Sequence, residues 1–144
     1  MEQVDRAMQA RVWQRVQGAA APMNCREPLA LAAELAAHYR ELAGKSTGNT
    51  EQFRRLSRQL QATRKALLGL CRICGCPGEA LPVSVQGETP RRRIGKCCHL
   101  ERRLGDALEG LSGDPEWGRV CGRLAEDARA RSILLLEILG TMKH

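Results

Sequence analysis

Three cysteines stand within six residues in CRICGC, residues 71–76, and a second group, Cys97-Cys98-His99, follows further along. Thiolate and imidazole donors in these numbers could hold zinc in a tetrahedral site. The candidate ligands are Cys71, Cys74, Cys76, Cys97, Cys98 and His99. The C-x-x-C pair could instead cycle between dithiol and disulfide. Zinc sites are usually built from two paired knuckles, and the second half here is irregular. The redox reading lacks the βαβ pattern that accompanies thioredoxin-like motifs. It also places C-x-x-C at a helix C-terminus, away from the field that lowers a thiol pKa. A third reading is plain packing: Cys71, Cys74, Cys97 and Cys121 fall on apolar helical stripes and suit a core. The residues alone leave all three open.

His38 lies on or beside the inner face of another helix. It reads as a hydrogen-bonded core histidine, or as a ligand left over from a metal site shared with Glu34 or Glu101. No Ser-His-Asp arrangement, P-loop or glycine-rich dinucleotide signature is present.

The elements that must position these groups are helical. Ala, Leu, Arg, Gln and Glu dominate, and all favour helix. Five helices are predicted. The first is Glu2–Gln17, with Val4, Met8, Val12 and Val16 on one face. The second is Glu27–Gly44, with a stripe of Leu31, Leu35, His38 and Leu42, and Tyr39 beside it. The third spans 50–74, with Thr50 as a candidate N-cap. Its Phe53, Leu56, Leu60, Thr63, Leu67, Leu70 and Cys74 alternate steps of three and four, the seam of a bundle helix. Gly75 and Pro77 end it. The fourth runs from Arg91 to Leu111, with Ile94, Cys97, Glu101, Leu104, Leu108 and Leu111 inward. In the link SGDPEWG, Asp114 is expected as N-cap and Pro115 at the first helical position. The fifth runs to Met142, with Val120, Leu124, Ala128, Arg131, Leu135, Ile138 and Met142 inward.

Loop lengths give a topology. The short links make helices two and three, and four and five, antiparallel hairpins. The 77–90 connection is long enough to cross the bundle, which leaves helices three and four parallel. The two cysteine groups then lie at opposite ends, on the order of 25–30 Å apart, and cannot share a metal. The expected domain is single: residues 1–18 as an N-terminal helix, 27–76 as the first hairpin, 77–90 as the crossover and 91–144 as the second hairpin.

The chain has 144 residues, 43% of them apolar, and a net charge of +7. A chain of this length buries roughly 68–70% of its unfolded surface and folds without a staple. The arginines are scattered over every helix, and the PRRR run at 90–93 is short. The aromatic residues Trp13, Tyr39, Phe53 and Trp117 are too few and dispersed for a base-stacking platform. Nucleic acid is therefore not expected as a partner. No 18-residue apolar run is present, so no membrane span is expected. The N-terminus lacks the apolar core of a signal peptide. A cytoplasmic protein with reduced thiols is the expectation.

Two hairpins joined by a long crossover resemble the ferritin-like plan. The segment KCCHLERRLGDALEGLSGDPEWGRVCGRLAEDARARSILLLEILG resembles the second half of a rubrerythrin-like protein, a small bacterial member of that superfamily. RVWQRVQG and FRRLSRQLQATRKALLGL are similar to the same group. The resemblance implies an all-α, ferritin-like four-helix bundle with a short extra N-terminal helix and a di-iron core. In such a core two helices each supply a Glu and two others supply Glu-x-x-His. Here the matching positions hold Leu60 and Thr63 on the third helix, Ala128 and Arg131 on the fifth, and Ala32 on the second, with Glu34 two residues away. Only Glu101 matches, and Glu-x-x-His occurs nowhere.

Glu101 and Arg131 both sit on apolar stripes, and a lone buried charge is costly. They are expected to form an interior ion pair where the metal would otherwise lie, within a vestigial core site of Glu101, Arg131, Thr63, Glu34 and His38. This reading expects no catalytic residue and no cofactor. It expects a binding or structural protein with an unknown protein partner or a second copy on an apolar helix face. Two alternatives remain. One is a di-iron peroxidase or oxidase with a non-standard iron site around Glu34, His38 and Glu101. The other is a zinc or thiol sensor using the 71–76 cluster.

Overall fold

The structure, a computed structural model, describes residues 24–44, 48–75 and 84–142. The expected N-terminal helix, Cys76, residues 77–83 of the crossover and the C-terminal His144 lie outside them. The described residues form four helices and no strand: α1 (Arg26–Gly44), α2 (Thr50–Cys74), α3 (Pro90–Gly110) and α4 (Gly118–Thr141).

Local chemistry sets most of their ends. Gly75 takes the left-handed conformation (φ 72°) and donates its N–H to the Cys71 carbonyl, which closes α2. Thr89 caps α3 by accepting from the Arg92 N–H at 3.3 Å, with Pro90 as the first helical residue. The start of α4 differs from expectation. Asp114 Oδ1 accepts from the N–H groups of Glu116 and Trp117, both at 2.8 Å, as an N-cap would. It caps a separate turn, however, and regular helix begins only at Gly118. At that point the Gly118 N–H donates to the Asp114 carbonyl at 2.9 Å, and the Gly118 backbone runs so close to the Ser112 carbonyl oxygen that a Cβ would collide with it.

The α2 seam is buried as its spacing requires: Phe53, Leu56, Leu60, Thr63, Leu67 and Leu70, joined by Cys71. On α4 the seam is Cys121, Leu124, Ala128, Arg131, Leu135 and Ile138, and Val120 is exposed. Val120 was expected inward, but steps of three and four back from Ala128 pass through Leu124 to Cys121, and Val120 falls outside that row. Full burial of one Leu or Phe stabilises by about 1.5–3 kcal/mol, so these rows hold the bundle together.

Each helix has two neighbours. α1 packs on α2 and α3, and α4 packs on α3 and α2. Side-chain contacts give the directions. Arg93 meets His38 and Arg103 meets Glu27, so α3 runs opposite to α1. Thr63 meets Arg131, and Leu56 lines a cleft with Ile138, so α4 runs opposite to α2. With α1 and α2 joined by a short link, α2 and α3 point the same way and face each other across the bundle.

Candidate functional site

The bundle interior contains a polar centre built by all four helices. α3 supplies Glu101, α4 supplies Arg131, α2 supplies Thr63 and α1 supplies Tyr39. Glu101 is 0% exposed and Arg131 1%. Arg131 Nε donates to Glu101 Oε2 at 2.7 Å, and Arg131 Nη1 donates to Thr63 Oγ1 at 3.0 Å. The Tyr39 hydroxyl donates to the same Glu101 oxygen at 2.5 Å. Glu101 Oε1 and Arg131 Nη2 have no partner among the described residues.

Burial pushes the Glu101 carboxyl above its ordinary range, against the opposing pull of Arg131 and the two hydrogen bonds. The Tyr39 hydroxyl is pushed well above its ordinary value, first by burial and then by the Glu101 charge. Tyr39 therefore stays protonated and acts as a donor. A guanidinium, a carboxylate, a phenol and a threonine hydroxyl form a net-neutral hydrogen-bonded knot, whose Thr63 and Arg131 also line a cleft with Gln59 and Asp127.

This donor set does not fit a di-iron centre. Iron of that kind needs several carboxylates and imidazoles. Here one carboxylate is available, a guanidinium already touches it, and the neighbouring inward positions Leu60, Ala128 and Ala32 carry no donor atom. His38 and Glu34 do not join Glu101 in a ligand set. Among the described residues, no group of three or more His, Cys, Asp or Glu side chains could hold a metal ion.

His38 instead belongs to a second buried polar group, toward the C-terminal end of α1. Its Nδ1 lies 2.9 Å from Nη1 of Arg93, a residue 1% exposed. Burial and then the Arg93 charge hold the His38 pKa below its ordinary value. His38 Nε2 has no partner among the described residues, so among them this is not the fully satisfied core histidine expected. Arg93 was hidden in the PRRR run. Its signal is the row Arg93, Cys97, Glu101, whose steps of four put all three on the inward face of α3.

The cysteines divide between the two ends. Cys71 and Cys74 close α2 on the side where α4 begins with Cys121. Cys97 and Cys98 lie on α3 on the far side of the Glu101 layer. Helix rise puts the two groups about 20 Å apart along the bundle, so they cannot share a metal. Cys97, Cys98 and Cys121 are buried, and burial raises all three thiol pKa values. Such thiols resist ionisation and suit packing rather than nucleophilic attack. His99, beside them in sequence, is exposed.

The chain is thus an all-helical bundle with a paired interior charge. A crystal structure of a conserved hypothetical protein from Mycobacterium tuberculosis is similar to it, with a TM-score of 0.64 over 87% of this chain and 92% of that one, at 16% identity. Likeness at that identity shows the fold alone. No protein-family model matches the chain, and no curated protein does. No helix among the described residues is long and apolar enough to cross a membrane.

Proposed function

We propose that this protein is a ferritin-like bundle of the rubrerythrin-like type whose di-iron centre has been replaced by an ion pair, and that it works as a non-catalytic binding or structural protein. The observation that carries the reading is the Arg131 guanidinium bonded to Glu101, the one fully buried carboxylate among the described residues. A fixed guanidinium supplies positive charge where a metal would, and its pull opposes the burial that favours a neutral Glu101, without an exchangeable ligand. The shared direction of α2 and α3 supports a long crossover between them, which is the ferritin-like connection.

In this reading the protein acts through its surface. Ile133, Leu134 and Leu136 are exposed on the outer side of α4 and favour a second copy or a protein partner there. Sedimentation equilibrium tests the homodimer, and a strictly monomeric chain with and without Leu136→Glu would remove it.

The central reading is tested by elemental analysis of untagged protein purified without oxygen, followed by titration with ferrous iron. The expected result is no stoichiometric iron or zinc and no saturable iron uptake. Two irons per chain would overturn it in favour of a di-iron oxidase or peroxidase. One zinc per chain would instead favour the cysteine sensor.

A further inference from the structure

Four of the described cysteines share one end of the bundle. Cys25 precedes α1, Cys71 and Cys74 close α2, and Cys121 lies in the first turn of α4. Cys25, Cys71 and Cys121 are buried, while Cys74 is half-buried against the core. Cys74 is therefore the thiol of this group that solvent reaches.

The register of α2 against α4 sets Cys74 and Cys121 at one level. Arg131 meets Thr63. Seven residues toward the other end on each helix, Leu56 and Ile138 line one cleft, so the register holds along the pair. Cys74 stands eleven residues after Thr63, and Cys121 ten residues before Arg131. The two helices are antiparallel, so both cysteines lie about 15–17 Å from the Thr63–Arg131 contact, toward the same end. Both also belong to inward rows. Cys74 continues the steps Thr63, Leu67 and Leu70, and Cys121 ends the row of Arg131, Ala128 and Leu124. Burial, then Asp114 and then Cys74 raise the Cys121 thiol, as a neighbouring thiol does.

Other pairings at this end fit less well. Cys71 and Cys74 are three residues apart on one helix, which sets their Cβ atoms about 5–6 Å apart. A disulfide needs about 3.5–4.5 Å. That bond would unwind the last turn of α2, which the Gly75 N–H seals on the Cys71 carbonyl. Cys25 and Cys71 are 0% and 2% exposed, out of reach of an oxidant. Cys74 is the last residue of α2 and Cys121 is near the first of α4, so a bond between them distorts no helix interior.

We propose that Cys74 and Cys121 are a redox pair, joined as a disulfide between α2 and α4 by a small-molecule disulfide such as oxidised glutathione and parted again by excess thiol. The Cys74 thiolate attacks one glutathione sulfur, the glutathione S–S bond breaks, and one glutathione leaves as its thiolate. Cys121 then gives up its proton and attacks the Cys74 sulfur, and the second glutathione leaves. The protein loses two electrons and two protons, and two glutathione thiols carry them away. The surroundings of Cys121 disfavour its thiolate, which makes closure slow but favours the disulfide at equilibrium. The bond ties α2 to α4 on the side where clefts separate them, so oxidation fixes that side of the bundle and reduction releases it.

The test is incubation of the full chain at pH 8 with oxidised glutathione, followed by alkylation in denaturant and tandem mass spectrometry of unreduced peptides. The expected product has lost two hydrogens and carries a Cys74–Cys121 bond that dithiothreitol removes. Its thermal midpoint should rise by roughly 5–15 °C. Cys74→Ser should lose both the bond and the shift, whereas Cys71→Ser should keep them. The proposal is overturned by a bond from Cys74 to Cys71 or Cys76, by a glutathione adduct that never closes, or by no reaction of native protein. The wild-type peptide map decides this even if a serine variant fails to fold.

Discussion

Arg131 and Glu101 come from α4 and α3 and meet at 2.7 Å with both side chains out of solvent. Such a pair specifies one packing of the four helices more than it adds stability, because the desolvation of two charges offsets most of their attraction. Removing one partner is another matter. Arg131→Met should destabilise by about 3–5 kcal/mol, since Glu101 is left with Tyr39 alone. The double variant Glu101→Leu with Arg131→Met should recover most of that loss. Urea unfolding of the two single variants and the double variant, closed as a cycle, measures the coupling. A double variant as unstable as Arg131→Met would show that the knot does more than neutralise itself.

The apolar rows predict a contrast in cost. Leu60→Ala and Leu104→Ala remove fully buried side chains and should each cost about 2–5 kcal/mol. Leu136→Ala removes an exposed one and should stay within about 0.5 kcal/mol for the monomer. Denaturant midpoints at low protein concentration separate the two classes.

Glycines should respond according to their surroundings. Gly118→Ala drives a Cβ into the Ser112 carbonyl oxygen and should cost about 1–3 kcal/mol. Gly95, within α3, has nothing within 4 Å of an added Cβ, and Gly95→Ala should stabilise by about 0.5–1 kcal/mol. Paired thermal melts decide this, and two changes of the same sign would contradict the turn geometry at 112–118.

Stability should fall on the acid side of neutrality because of His38. Its folded pKa is depressed, by burial and then by Arg93, so the unfolded chain binds the proton more readily. The His38 contribution is therefore complete above the unfolded value of about 6.5. It diminishes as the pH drops below that value and levels off once the folded ring also protonates. Unfolding free energies of wild type and His38→Gln at pH 8 and pH 5 check the sign. The wild type should lose more between the two pH values than the variant, and equal losses would contradict the assignment.

Cysteine reactivity follows from burial. Cys97 and Cys98 should resist alkylation in the native state and react fully in denaturant, because both are buried and burial raises their thiol pKa values. Mass spectrometry after brief iodoacetamide treatment reads this directly, and rapid native labelling of Cys97 would show that α3 opens locally.

The sequence by itself determined the helices and most of their inward rows. Steps of three and four from Phe53 to Leu70 admit one face and no other, and Gly75 can end a helix where a side chain would be strained. Periodicity also placed Glu101 and Arg131 on inward faces, because inwardness is a property of each helix alone.

Tertiary structure decided what periodicity cannot reach. It brought Tyr39 and Thr63 onto the Glu101–Arg131 pair, since contacts across four helices depend on how each is rotated and shifted against the others. It pressed the Ser112 carbonyl against the start of α4, so that position 118 has no room for a Cβ. It also buried Arg93 beside His38. In sequence an arginine within PRRR reads as a solvated charge, and only the approach of α1 from the opposite direction puts that guanidinium out of water.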